Sequence, residues 1–144
     1  MKFHMGALFV AFSISSLAVS VNGFANDQDP EDRSISSKGD ASEGRKVFIR
    51  CRACHQLTDD RRPKAGPNLY QLFGRVSGTS DSYQLYSKAM KDAAIIWTEK
   101  SVAEYLTKPR SFMPGNKMAF AGIRSEEDRQ NLIAYLRQVQ DQTN

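Results

Sequence analysis

The chain has 144 residues, two cysteines, two histidines and a formal net charge of +4. Removal of a leader of 25 residues (below) leaves roughly 119, enough for one domain with a single core and too few for two. The sequence has no basic repeat and no aromatic recognition motif, which argues against nucleic acid as a partner.

The chain opens on a segment with the layout of a secretory signal. Lys2 supplies a short basic start, Met5 to Val21 is apolar but interrupted by Ser13, Ser15, Ser16 and Ser20, and Gly23-Phe24-Ala25 ends in small residues. This pattern predicts a signal peptide over residues 1–25, cleaved after Ala25, and a periplasmic product; a retained leader would make a membrane-tethered one. Residues 26–39 carry acids, Pro30 and turn formers without apolar periodicity, and read as a disordered acidic linker ahead of a domain spanning 40–144. Charge is divided unevenly: Asn26 to Glu43 holds six acids against Arg33 and Lys38, whereas Gly44 to Asn144 holds 17 Lys and Arg against 10 Asp and Glu. A domain so basic suits an acidic partner surface, steered by long-range attraction.

Asp40-Ala41-Ser42-Glu43 has the pattern of a capping box and predicts a first helix whose apolar side includes Val47, Phe48, Cys51 and Cys54. Cys51-Arg52-Ala53-Cys54-His55 then forms C-x-x-C-H, the attachment signature of a c-type haem. In such a site both thiols bond one porphyrin and the adjacent imidazole reaches its iron. A thioredoxin-like couple would need a preceding strand in a βαβ unit, and none is visible. Zinc would need more ligands than this chain offers, since the other histidine, His4, falls in the leader. A simple disulfide is a further reading of the pair.

Further along, Pro67 to Gly74 predicts a short helix closed by Gly74, Ser77 to Ser82 a turn, and Ser87 to Ala93 a second short helix. Thr98 caps a predicted helix over Glu99 to Thr107, which Lys108-Pro109 must end because proline lacks a donor and disfavours helix before it. Ser125-Glu126-Glu127-Asp128 resembles another helix start, followed by the stripe Leu132, Ile133, Leu136 and Val139. No segment alternates as a strand does, so the fold class is all-α with much loop, an arrangement that a large cofactor in the core makes workable. With His55 the only histidine beyond the leader, a second histidine ligand within the chain is excluded and a thioether becomes the natural partner. Met90 falls in a predicted helix, whereas Met113 and Met118 flank the Pro114-Gly115 turn.

From Gly44 onward the order of landmarks resembles the class I cytochromes c of the mitochondrial or soluble bacterial type. These are C-R-A-C-H, G-P-N-L at Gly66 to Leu69, L-F-G-R at Leu72 to Arg75, I-I-W at Ile95 to Trp97, E-Y-L at Glu104 to Leu106, P-G-N-K-M-A-F at Pro114 to Phe120 and L-I-A-Y-L at Leu132 to Leu136. The resemblance implies a cytochrome c fold of about five short helices around a covalent haem c, one per subunit and held at Cys51 and Cys54, in a domain small enough to need it. It implies His55 and Met118 as the axial iron ligands, with the Pro67 carbonyl accepting from the second nitrogen of His55. Arg75, Tyr86 and Trp97 stand where the family places its propionate partners, Tyr105 beside the ligand methionine, and Phe120 at the haem edge. Gly44 and Phe48, with Leu132 and Tyr135, match the family's contact between terminal helices. The chain departs from the commonest pattern at Asn116, where Thr is usual, and at Met90, where many relatives carry Asn.

The function implied is one-electron transport by a monomer, with no substrate turned over. Electrons would pass between a quinol:cytochrome c oxidoreductase and a terminal oxidase, in a respiratory or photosynthetic chain, and membrane contact would come only through those partners or a retained leader. Two other classes compete: a haem enzyme or a sensor of peroxide or gas whose sixth position opens, which would want distal acid or base groups, and a membrane-tethered haem subunit of a larger complex.

Overall fold

In a computed structural model the described residues are 33–60, 62 and 64–143. The leader, 1–25, and residues 26–32 of the expected linker lie outside them. Five α-helices follow in order: α1 (Ala41–Phe48), α2 (Lys88–Asp92), α3 (Glu99–Thr107), α4 (Pro109–Phe112) and α5 (Glu126–Asp141). Among the described residues there is no strand, only an isolated antiparallel bridge between Val76 and Ile96.

Capping explains where the helices begin. Asp40 accepts from the N–H groups of Ser42 and Glu43 and so meets two of the donors that a helix start leaves unpaired. The reciprocal half of the expected capping box is replaced: the Asp40 N–H donates to Asn131 Oδ1 at 2.7 Å, while Glu43 pairs with Lys46 at 2.6 Å. The first helix is thereby tied at its start to α5. Ser87, Thr98 and Ser125 cap α2, α3 and α5, and Ser101 completes a reciprocal box with Thr98. Pro109 ends α3 as expected but also opens α4, because its fixed φ suits a first helical position.

The principal contact in the fold is α1 against α5. Gly44 makes it possible: a Cβ there would collide with the Asn131 carbonyl, so only glycine lets the two backbones approach this closely. Phe48 and Tyr135 pack beside it with ring centroids 5.7 Å apart. Leu132, Ile133 and Leu136 of α5 enter one core with Phe48, Leu72, Phe73, Trp97, Val102, Tyr105, Met113 and Ile123.

Three expectations are corrected by the structure. The cysteines are not on α1, which ends at Phe48; Cys51 and Cys54 sit in the turns beyond it, held by Cys51 N–H to Phe48 O at 2.8 Å and Cys54 N–H to Cys51 O at 3.0 Å. Pro67 to Gly74 is not helical. There the Asn68 side chain captures the Tyr70 N–H at 2.8 Å and Gln71 takes a left-handed φ of 49°, both of which divert the backbone from a helix.

Finally, residues 33–39 are ordered rather than part of a disordered linker. A short 3₁₀ turn, Ser36–Lys38, follows N–H donations from Ile35 (3.2 Å) and Ser36 (2.8 Å) to Glu99 Oε2. Arg33 adds a forked pair of bonds to Asp141, each 2.9 Å.

Glu99 and Arg137 are buried and meet at 3.0 Å, with the guanidinium also lying 4.1 Å over the Phe73 ring. Removing one charge from such a pair leaves the other desolvated without its counter-ion. Glu99→Gln should therefore cost the folded protein on the order of 3 kcal/mol, measured by denaturant unfolding of the holoprotein. A loss below about 1 kcal/mol would mean that the pair contributes no more than an exposed one.

Candidate haem site

The site is built on loops, and the chain holds each loop by side-chain bonds to backbone. His55 Nδ1 lies 2.7 Å from the Pro67 carbonyl oxygen. A carbonyl only accepts, so Nδ1 carries the proton and Nε2 keeps its lone pair, the form that binds a metal. Burial pushes the His55 pKa down, while the bond to Pro67 opposes this. Gly66 seats the ring: a Cβ at that position would stand 2.5 Å from His55 Cε1, and the Gly66 N–H is fixed on the Cys54 carbonyl at 2.9 Å.

Cys51 is half-buried, Cys54 is exposed, and neither is in a disulfide. Burial raises the pKa of the Cys51 thiol. Among the described residues no three His, Cys, Asp or Glu side chains come together as a metal-binding group.

The loop after Pro67 carries Arg75. Its guanidinium donates to the Asn68 carbonyl at 2.8 Å and the Tyr70 carbonyl at 3.2 Å, and burial lowers its pKa. Those carbonyls satisfy N–H groups without neutralising the charge; the Asp81 carboxylate acts on it from nearby, and a further anion would be stabilised beside this partly desolvated arginine. Burial pushes the Tyr86 pKa up, and the nearby Arg75 charge acts against that rise. The Tyr86 ring meets Tyr83 edge-on, 4.9 Å between centroids.

Arg75 and Trp97 are joined through the backbone, Trp97 N–H to Arg75 O at 2.9 Å, and the Trp97 carbonyl accepts from Gly74 N–H at 2.9 Å. Trp97 is buried against Tyr105, 5.3 Å between centroids. The Tyr105 hydroxyl in turn points at Met118 Sδ, 3.8 Å away, and burial pushes its pKa up to about 12. A run of direct contacts thus leads from His55 through Pro67, Asn68, Arg75, Trp97 and Tyr105 to Met118. Phe120 lies beneath the Arg50 guanidinium, 5.5 Å from its ring centroid, and with Cys51, Met90 and Met118 is partly buried against the central core. Met113 is a full member of that core and only 4% exposed, so packing accounts for it.

These residues fit a haem. Two unbridged thiols a turn apart, an imidazole with one nitrogen anchored and the other free, a thioether on a second loop, and a half-buried arginine are groups that an iron porphyrin dicarboxylate can use.

Comparison with known proteins agrees. The family model for cytochrome c matches residues 41–140. The chain belongs to the cytochrome c family. It is 50% identical over 102 residues to cytochrome c of Chlamydomonas reinhardtii, covering 70% of this chain and 90% of that one. It is 43% identical over 111 residues to cytochrome c of Theileria parva, covering 76% and 95%. Among solved structures, cytochrome cH from Methylobacterium extorquens matches with a TM-score of 0.64 and 34% identity, covering 69% of this chain and 99% of the other. The fold is the cytochrome c fold, haem c is its covalently bound cofactor, and the protein is an electron-carrying haem protein that works with redox partners.

The contacts of Gly66 and Asn116 are the part of the site that sequence reasoning missed. Gly66 stands in the G-P-N-L landmark, and a glycine directly before the proline that holds His55 is a signal for close approach to the ring. Asn116 stands out in the sequence as a departure from the family's common residue, one able to tune the Met118 bond, but its partners are not legible there.

Proposed function

We propose that the protein is a one-electron shuttle whose haem iron is held by His55 and Met118. The observation that carries this reading is the pairing of an anchored, neutral His55 imidazole with a Met118 thioether contacted by Tyr105. When bound, haem supplies an iron that changes by one electron, and ligation by His and Met raises its potential and closes it to small molecules. The chain's part is to bind and orient. Cys51 and Cys54 would hold the porphyrin covalently, the Pro67 carbonyl fixes the His55 ring and raises its basicity, and Arg75, Trp97 and Tyr86 would offer donors to its carboxylates. Phe120 and Met118 would help to exclude water from the iron.

Export and partners follow from the rest of the chain. Residues 1–25 act as a leader, residues 40–144 as the working domain, and the periplasm as the location, with a quinol:cytochrome c oxidoreductase as donor and a terminal oxidase as acceptor. Supporting an acidic partner, Lys64 and Lys117 are exposed on the loops that bear His55 and Met118; Lys64 donates to the Arg52 carbonyl at 2.7 Å and Lys117 to the Leu85 carbonyl at 3.3 Å. Each pair formed with a partner is worth only about 0.2 to 1 kcal/mol, but the summed field acts on the association rate. The bimolecular electron-transfer rate should therefore fall as ionic strength rises, and Lys64→Glu or Lys117→Glu should lower it at low salt with the absorption spectrum unchanged. A rate insensitive to salt, or lowered as much by Lys100→Glu, would remove this docking face.

A further inference from the structure

We propose that Asn116 is a positioning residue that sets how easily Met118 is displaced. The Asn116 amide nitrogen donates to the Pro109 carbonyl at 2.9 Å and the Met113 carbonyl at 2.7 Å, and its oxygen accepts from the Met118 N–H at 3.0 Å. Pro109 and Met113 are both buried and bracket α4, so a single side chain bolts the Met118 backbone to both ends of a fixed helix. The Asn116 N–H adds a further bond to the Met113 carbonyl at 3.2 Å.

The side-chain chemistry is specific. Two carbonyls and one N–H ask for two donors and one acceptor on one short planar group, which only the asparagine amide supplies at this length. A threonine hydroxyl has a single donor and so falls one short, an aspartate keeps the acceptor but turns a carboxylate on two carbonyl oxygens, and a glutamine is a methylene too long. The clasp holds the N–H of Met118 itself, so slack at Asn116 becomes slack at Sδ. This inference rests on the reading of Met118 as the iron ligand.

The test is titration of the oxidised holoprotein with imidazole, followed by absorbance. Loss of the clasp should strengthen imidazole binding on the order of tenfold in Asn116→Ala and Asn116→Asp, with Asn116→Thr between these and the parent. Ser125→Ala removes the cap of α5, costs comparable stability and leaves the loop alone, so its imidazole affinity should equal the parent's. Met118→Ala should bind more tightly than any of them. Parent-like affinity in Asn116→Ala and Asn116→Asp, with tight binding in Met118→Ala, would overturn the role of Asn116 and leave the ligand reading intact. An equal gain in Ser125→Ala would reduce Asn116 to general stability. Parent-like affinity in Met118→Ala would overturn the ligand reading itself, and this inference with it.

Discussion

Replacing both thiols, as Cys51→Ser with Cys54→Ser, is expected to leave no folded domain. Among the described residues from Ile49 to Thr98 there is one helix, the five residues Lys88–Asp92, and one isolated bridge with Ile96 on its second arm. So long a run of loop has too few internal partners to repay the entropy of ordering it, and a bound cofactor is what supplies the missing apolar surface. The fully buried core joins α1, α3 and α5 but takes only Leu72, Phe73 and Trp97 from that run. Serine forms no thioether, so the double variant loses covalent retention, and each single variant should give a lower yield of holoprotein. Circular dichroism of the purified chain is the check, and recovery of a folded, haem-free double variant would defeat the expectation.

The second large effect is expected at Met118. Met118→Ala should keep the haem attached, lower the reduction potential and open the iron to azide or cyanide. Axial ligands set haem potentials across roughly 0.8 V, so loss of the thioether should move the potential by on the order of 0.1 V or more. Met113→Ala is the internal contrast. Met113 is buried in the core and its backbone carbonyl, not its sulfur, serves the loop. Its truncation should cost about 2 to 5 kcal/mol of stability, as for other buried Met→Ala changes, while the iron stays closed. Azide binding by Met113→Ala and not by Met118→Ala would show that the wrong methionine has been assigned.

Where local chemistry decided the outcome, the sequence was readable. Thr98 and Pro109 bound α3 at the expected residues, and Ser125 opens α5, because a cap or a missing donor acts within one turn. Pro67 to Gly74 failed because side chains compete for its backbone: Asn68 captures the Tyr70 N–H, the Arg75 side chain returns to the Asn68 and Tyr70 carbonyls, and His55, twelve residues earlier, engages the Pro67 carbonyl. An apolar pattern read for helix does not register these bonds. Residues 33–39 failed for a related reason, since their polar composition reads as a linker until the buried Glu99 carboxylate, more than sixty residues away in sequence, accepts their N–H groups. In the site, residue identities came from motif order, whereas the Asn116 clasp came only from three-dimensional geometry.

The carrier reading turns on whether the iron has a free position. Its most direct test is to add carbon monoxide to the reduced, purified holoprotein and record the absorption spectrum. A His55 and Met118 pair predicts a spectrum unchanged by the gas, together with the weak red band that the family resemblance leads one to expect of thioether-bound iron in the oxidised form. Immediate binding of carbon monoxide would contradict a closed electron carrier and favour a gas- or peroxide-reactive haem protein instead.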